Sequence, residues 1–134
     1  MKIVIPDDYQ DAVRNLDCFD KLTGHEVTIY NDTVKDVDTL ARRFADADAL
    51  VLIRERTAIT EELLQRLPKL KFISQTGKGI PHLDVSACTR HGVLISAGPG
   101  SPYSTAELTW GLVLAATRFL PQEITRMKAG RWQG

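Results

Sequence analysis

Ala49-Leu50-Val51-Leu52-Ile53 is an unbroken apolar run with no polar residue at alternate positions. That pattern belongs to a strand covered on both faces, the condition of a strand inside a parallel sheet. Upstream of it, Asp36 to Ala45 has helical spacing through Val37, Leu40, Ala41 and Phe44. His25 to Tyr30 is rich in β-branched residues and reads as a strand. Ile3-Val4-Ile5 reads as another, closed by Pro6 and the turn formers Asp7-Asp8. Between these two strands, Tyr9 to Leu22 is expected to form a helix with Val13, Leu16, Phe19 and Leu22 on one face, stopped by Gly24. Downstream of the central run, Thr60-Glu61-Glu62-Leu63 offers a capping hydroxyl and first-turn acids for a helix that buries Leu63, Leu64 and Leu67. Phe72-Ile73-Ser74 and Val93-Leu94-Ile95 complete the strands, separated by a Gly-rich loop and a short helix near Asp84 to Arg90 that Gly92 ends.

Strands alternating with helices in this way predict an α/β fold, a flavodoxin-like five-stranded parallel sheet with helices on both faces. The last third is different. After the loop Gly98 to Pro102, residues 103–119 are expected to form one long helix, with Leu108, Trp110, Leu112, Val113, Leu114 and Phe119 distributed all round it. A helix apolar on every face must be covered on every face, by a second domain or a second chain. Pro121 is expected to interrupt it, with a further turn or two from Gln122 to Lys128. The chain is therefore divided into a domain over residues 1–101 and a helical arm over 102–134.

Composition narrows the function classes. Seventeen basic and seventeen acidic residues cancel, which leaves no electrostatic footprint for nucleic acid or an anionic membrane. The longest apolar stretch, Leu112 to Ala116, is far short of a membrane span, and the N-terminal run Ile3 to Ile5 is too short for a secretory leader. Cys18 and Cys88 lie in no metal-binding spacing and read as two buried free thiols, in keeping with a cytoplasmic location.

Ligands of open parallel sheets bind beyond the carboxyl ends of the strands. Asp7-Asp8, Asn31-Asp32, Arg54-Glu55-Arg56, Gln75 to His82 and Ala97 to Ser101 all arrive there. In Gln75-Thr76-Gly77-Lys78-Gly79-Ile80, two glycines flank a lysine directly after a strand. Glycines let backbone N–H groups turn towards a ligand, a nest suited to an anion, and Lys78 and Arg54 would add full positive charges. The plainer reading is a tight turn with a solvated lysine. Neither this loop nor Gly98-Pro99-Gly100 is a dinucleotide fingerprint, because His82 and Tyr103 stand where a third glycine is needed. His82 is either a ligand donor or a loop-packing residue. His25 and His91 read as structural or exposed, and Glu107 as a complement to the long helix's dipole.

Over nearly its whole length, and most specifically over residues 76–132, the chain resembles the D-2-hydroxyacid dehydrogenases, in particular the phosphoglycerate dehydrogenase branch. Thr76-Gly77-Lys78-Gly79-Ile80-Pro81-His82-Leu83-Asp84 is similar to that family's substrate loop. Ala106-Glu107-Leu108-Thr109 and Arg118-Phe119-Leu120-Pro121 are similar to its interdomain helix, and Met127 to Trp132 to the segment before its cofactor domain. Arg54 and Thr57 to Thr60 match its strand-to-turn region. Ser96-Ala97-Gly98 and Pro81-His82 depart from the family's commoner Asn-Thr-Pro and Asp-Asn.

The resemblance implies a substrate-binding domain in which the N–H groups of Lys78 and Gly79 hold a substrate carboxylate and Arg54 makes a second contact. It implies that Lys78 also touches the edge of a nicotinamide cofactor, NAD or NADP, and that its side chain binds an anionic substrate as in phosphite dehydrogenase. The implied activity is interconversion of a D-2-hydroxy acid and a 2-oxo acid, with a homodimer formed through residues 102–134. The family's catalytic Arg, Glu and His and its nucleotide-binding motif lie in a second domain, which these residues are expected to stop short of. No catalytic acid or base is therefore assigned here, and these 134 residues alone are expected to be inactive. The competing expectations are a non-catalytic flavodoxin-like binding or assembly module and a receiver-type signalling domain. The latter needs an acceptor aspartate at the end of the third strand, where the chain has Ile53-Arg54.

Overall fold

A computed structural model describes residues 1–101 and 103–132. Pro102, which closes the Gly98 to Pro102 loop, lies outside the described residues, as do residues 133 and 134. The chain separates into two compact units, Met1–Pro99 and Gly100–Gly134.

The first unit is built on five strands, β1 (Lys2–Ile5), β2 (Glu26–Ile29), β3 (Ala49–Ile53), β4 (Phe72–Thr76) and β5 (Leu94–Ala97). They form one sheet in the order β2-β1-β3-β4-β5, with every pairing parallel, as the alternating sequence pattern predicts. The central strand divides its side chains between two cores. Leu50 and Leu52 face one side with Val4 and Ile73; Ala49, Val51 and Ile53 face the other with Ile3, Ile5 and Phe72. Both faces of Ala49–Ile53 are thus apolar because both are covered.

The coverings differ. Helices α1 (Val37–Phe44), α2 (Glu61–Leu64) and α3 (Val85–Arg90) all pack on the first face, through Leu40, Phe44, Leu63, Leu64, Ala87 and Cys88. Right-handed crossovers explain this. Every step from β2 through β5 runs in one direction along the sheet and places its helix on the same side; only β1 to β2 runs the other way. Each helix carries a side-chain cap: Asp36 accepts from Thr39 N at 2.8 Å, Thr60 from Leu63 N at 3.3 Å and Asp84 from Ala87 N at 2.8 Å.

The second face corrects the expectation of a helix over 9–22 and of α-helices on both sides. This connection forms two short 3-10 turns, Val13–Asn15 and Phe19–Leu22, with Leu16 extended between them. Polar side chains capture the backbone that a helix would use. Asp8 accepts from Ala12 N and Val13 N, at 3.1 and 3.0 Å. The Asn15 amide takes the Asp11 carbonyl at 3.0 Å, while Asn15 N turns to Ala12 at 3.1 Å. The apolar spacing Val13, Leu16, Phe19, Leu22 is three residues throughout, the period of a 3-10 helix. A cavity of about 230 Å³ remains between these turns and the ends of β1, β3 and β4. Cys18, in the connection between the two turns, is exposed rather than buried as expected; Cys88 is buried as expected.

In the second unit, α4 (Ser104–Thr117) realises the long helix and buries none of its side chains. Leu108, Trp110 and Leu112 are each more than 60% exposed. Phe119 adopts φ 53° and ends it, and α5 (Leu120–Lys128) follows at once. Contrary to the expectation, Pro121 does not interrupt the long helix, which has already ended; it sits in the first turn of α5, where its missing N–H costs nothing.

Candidate functional site

The usual ligand crevice of such a sheet lies where the strand order reverses, between the loops after β1 and β3. Here that crevice is closed by the chain itself. Asp7 is buried at φ 65° and its carboxylate accepts from the Thr57 hydroxyl at 2.6 Å. The Asp7 carbonyl accepts from the Arg56 guanidinium at 2.6 Å, and that guanidinium lies 3.9 Å from the centroid of the Tyr9 ring. Lys35 donates to the Arg56 carbonyl. The first acidic segment is therefore a structural lock. So is the second, in part: Asp32 holds Arg43 through two bonds at 2.7 and 2.8 Å.

The loops after β3, β4 and β5 remain. Register pairs Ile53 with Thr76 and Gln75 with Ala97, so Arg54, Gly77 and Gly98 leave adjacent strand ends. Gln75 joins all three. It lies in phase with Ile73 on the buried face of β4 and is 3% exposed. Its side-chain N–H donates to the Arg54 carbonyl at 3.1 Å, and its backbone carbonyl accepts from Gly77 N at 3.0 Å and Gly98 N at 3.2 Å. Gly98 N also reaches the Gly77 carbonyl at 3.0 Å. Arg54 adopts φ 56°, a conformation that costs a non-glycine residue about 1 kcal/mol and persists where neighbours fix it.

His82 is tied into the same network. Because the Gln75 amide N–H points at Arg54, its oxygen faces His82 Nε2 at 3.2 Å, which assigns the proton to Nε2. Nδ1 is buried without a partner among the described residues. Burial holds this imidazole below its ordinary pKa, with the Glu55 carboxylate acting in the opposite sense. Further along, Ile59 N donates to the His82 carbonyl and Asp84 N to the Ile59 carbonyl, both at 2.9 Å, so the loop is fixed at its far end too. Of the two expected alternatives, the packing role is the one these contacts display.

The expected anion residues sit on this scaffold. Gly77 has φ 138°, which a side chain would oppose. The N–H groups of Lys78 and Gly79 donate to no acceptor among the described residues, and neither the Lys78 ammonium nor the Arg54 guanidinium has an ion-pair partner there. A neighbouring side chain was not singled out from the sequence. The Glu55 carboxylate rests against Gly79, such that a β-carbon at Gly79 would fall 2.7 Å from it. Gln75 was legible in principle, as a polar residue in the buried phase of a central strand. Glu55 was not, because its direction follows from the left-handed turn at Arg54.

Other candidates resolve as structural. His91 bonds Glu61 at 2.7 Å and Arg90 bonds the same carboxylate, linking the end of α3 to α2; the His91 bond first, then Arg90, lowers the Glu61 pKa to about 2. The N-terminus of α3 already carries the Asp84 carboxylate, so it offers no seat for a pyrophosphate. The described residues hold no cluster of three or more His, Cys, Asp or Glu suited to a metal, and no helix among them is long and apolar enough to cross a membrane.

Comparison with known proteins gives consistent matches. The family profile for the D-isomer specific 2-hydroxyacid dehydrogenase catalytic domain matches residues 3–130. The D-3-phosphoglycerate dehydrogenase of Methanocaldococcus jannaschii is 35% identical over 134 residues, covering 98% of this chain and 24% of that protein. A phosphoglycerate oxidoreductase from Vibrio cholerae O395 superposes with a TM-score of 0.81 at 55% identity, covering 100% of this chain and 42% of the other. A Ralstonia solanacearum oxidoreductase gives a TM-score of 0.80 at 57% identity, covering 98% of this chain and 40% of the other.

Proposed function

This chain belongs to the D-isomer specific 2-hydroxyacid dehydrogenase family, and we propose that it is the part of such an enzyme that grips the carboxylate of a small 2-hydroxy or 2-oxo acid. The observation that carries this is the pair of unengaged N–H groups at Lys78 and Gly79, beside the unpaired charges of Lys78 and Arg54. Two N–H donors and a guanidinium fork suit the two oxygens of a carboxylate. Holding that group fixes the adjacent carbinol carbon, which is a positioning contribution to hydride transfer.

The chain spans about a quarter of the curated relative's length and 40–42% of the solved relatives. The whole-enzyme reaction, interconversion of a D-2-hydroxy acid and a 2-oxo acid, is accordingly part of the proposal. So is its cofactor. NAD or NADP supplies the hydride chemistry in this reading, with Lys78 assigned an edge contact to it. Residues 1–101 are assigned to substrate binding and 102–134 to an interdomain arm and homodimer contact, the latter supported by the exposed apolar surface of α4.

The test is titration of the chain with D-lactate, followed by amide resonances. Shifts confined to residues 77–79 and 54, weakened at least tenfold in Arg54→Ala, are expected; a flat response at those amides would overturn the proposal. The same preparation supplied with NADH and pyruvate is expected to show no hydride transfer, and normal turnover would refute the division of labour.

A further inference from the structure

We infer that Glu55 is a specificity-determining residue that restricts this site to 2-hydroxy acids without a second anionic group. The inference rests on the carboxylate-gripping role proposed above and names the substrate class that role serves.

The argument is one of charge at a single rim. The loops after β3 and β4 present three charged side chains that have neither a hydrogen bond nor an ion pair among the described residues: Arg54, Lys78 and Glu55. Arg56 does not join them, because its guanidinium is held by the Asp7 carbonyl and the face of Tyr9. His82 does not join them either, since its Nε2 proton is committed to Gln75 and its Nδ1 is buried. Arg54 and Lys78 are thus the cations free to take one substrate carboxylate, and Glu55 is the free anion that a second anionic group would meet.

The Glu55 carboxylate is also in the way. It rests against Gly79, one of the two residues whose N–H groups are unengaged among the described residues. A substrate gripped there carries its remaining atoms past Glu55. A hydroxyl can donate to that carboxylate. A phosphate, carrying about −1.5 to −2 at neutral pH, is repelled by it. At ~5 Å and a surface-like effective dielectric, repulsion between like charges lowers affinity by about tenfold or more. The Methanocaldococcus jannaschii and Vibrio cholerae relatives act, by name, on phosphoglycerate; this rim points to an unphosphorylated acid.

D-glycerate and 3-phospho-D-glycerate differ only at the position Glu55 would read, so the chain is titrated with each and followed at the amides of residues 77–79. D-glycerate is expected to bind about tenfold more tightly or better, and Glu55→Gln, an isosteric change at an exposed position, is expected to reduce that preference about tenfold. Equal or tighter binding of the phosphorylated acid, or an unchanged preference in Glu55→Gln, overturns the inference while leaving the carboxylate grip intact. No response at 77–79 to either acid removes both.

Discussion

Replacement of Gln75 by leucine should separate the scaffold of the site from its charges. Leucine matches the volume and the burial of this side chain, which is 3% exposed, but neither bonds nor repels. Two bonds vanish, to the Arg54 carbonyl at 3.1 Å and from His82 Nε2 at 3.2 Å. A typical protein hydrogen bond contributes about 1 kcal/mol net, and a buried group left unpaired costs about 1–3 kcal/mol. The Arg54 carbonyl lies in a part-buried setting that water can reach, so the lower end applies there. The expected loss is about 2 kcal/mol, a fall in melting temperature on the order of 10 °C for a unit of this size. Arg54 should also relax from φ 56°, since the bond that pins its carbonyl is gone. Affinity for D-lactate should then fall by about tenfold even at temperatures where the variant is fully folded. Urea denaturation gives the first quantity and amide-detected titration the second. A variant within about 0.5 kcal/mol of the parent that binds D-lactate equally well would refute the view that Gln75 organises the three loops.

Three other outcomes are open to direct measurement. The Glu61 carboxyl titrates near 2 instead of 4.5, so its stabilising links to His91 and Arg90 are complete above pH 4.5 and are lost as pH falls from there towards 2; urea midpoints across that window should fall less steeply in Glu61→Gln. Cys18 should react with a thiol reagent in the folded chain, whereas Cys88, buried and with its pKa raised by that burial, should react only on unfolding; equal rates would contradict the placement of the 3-10 turns. Trp110→Glu and Leu112→Glu, both on α4, should reduce self-association in sedimentation velocity without changing the melting of residues 1–99.

Much of the fold is readable from the chain because its signals are local. Ala49–Ile53 announces a two-faced strand, and Asp36, Thr60 and Asp84 announce helix starts that the structure caps at those residues. The segment 9–22 misled for a reason equally local. Its apolar residues recur every third position, which a helix tolerates, but Asp8 and Asn15 offer the backbone competing partners that propensity summed along the segment does not register. The glycine–lysine pattern draws attention to Lys78 and Gly79, whose N–H groups are unengaged among the described residues, whereas the direction of Glu55 depends on the turn at Arg54 and no local pattern announces it. That turn in turn depends on Gln75, a residue 21 positions away in sequence.

The closed switch point between β1 and β3 bears on how the site works. A sheet of this order has its natural crevice there, yet the chain fills it with a buried carboxylate, a hydroxyl, a guanidinium and an aromatic ring. Those contacts span Asp7 to Arg56 and Thr57, and so hold the loop after β3 from one side while Gln75 holds it from the other. Arg54 and Glu55 lie between the two anchors. Their backbone is thereby fixed while their side chains make no ion pair among the described residues. A positioning site needs that combination, because charges held by their own partners cannot grip a ligand and charges on a loose loop cannot orient one. Breaking the Asp7–Thr57 pair with Thr57→Val should therefore weaken carboxylate binding in an amide-detected titration at residues 77–79, and an unchanged affinity would count against the two-sided anchoring of this loop.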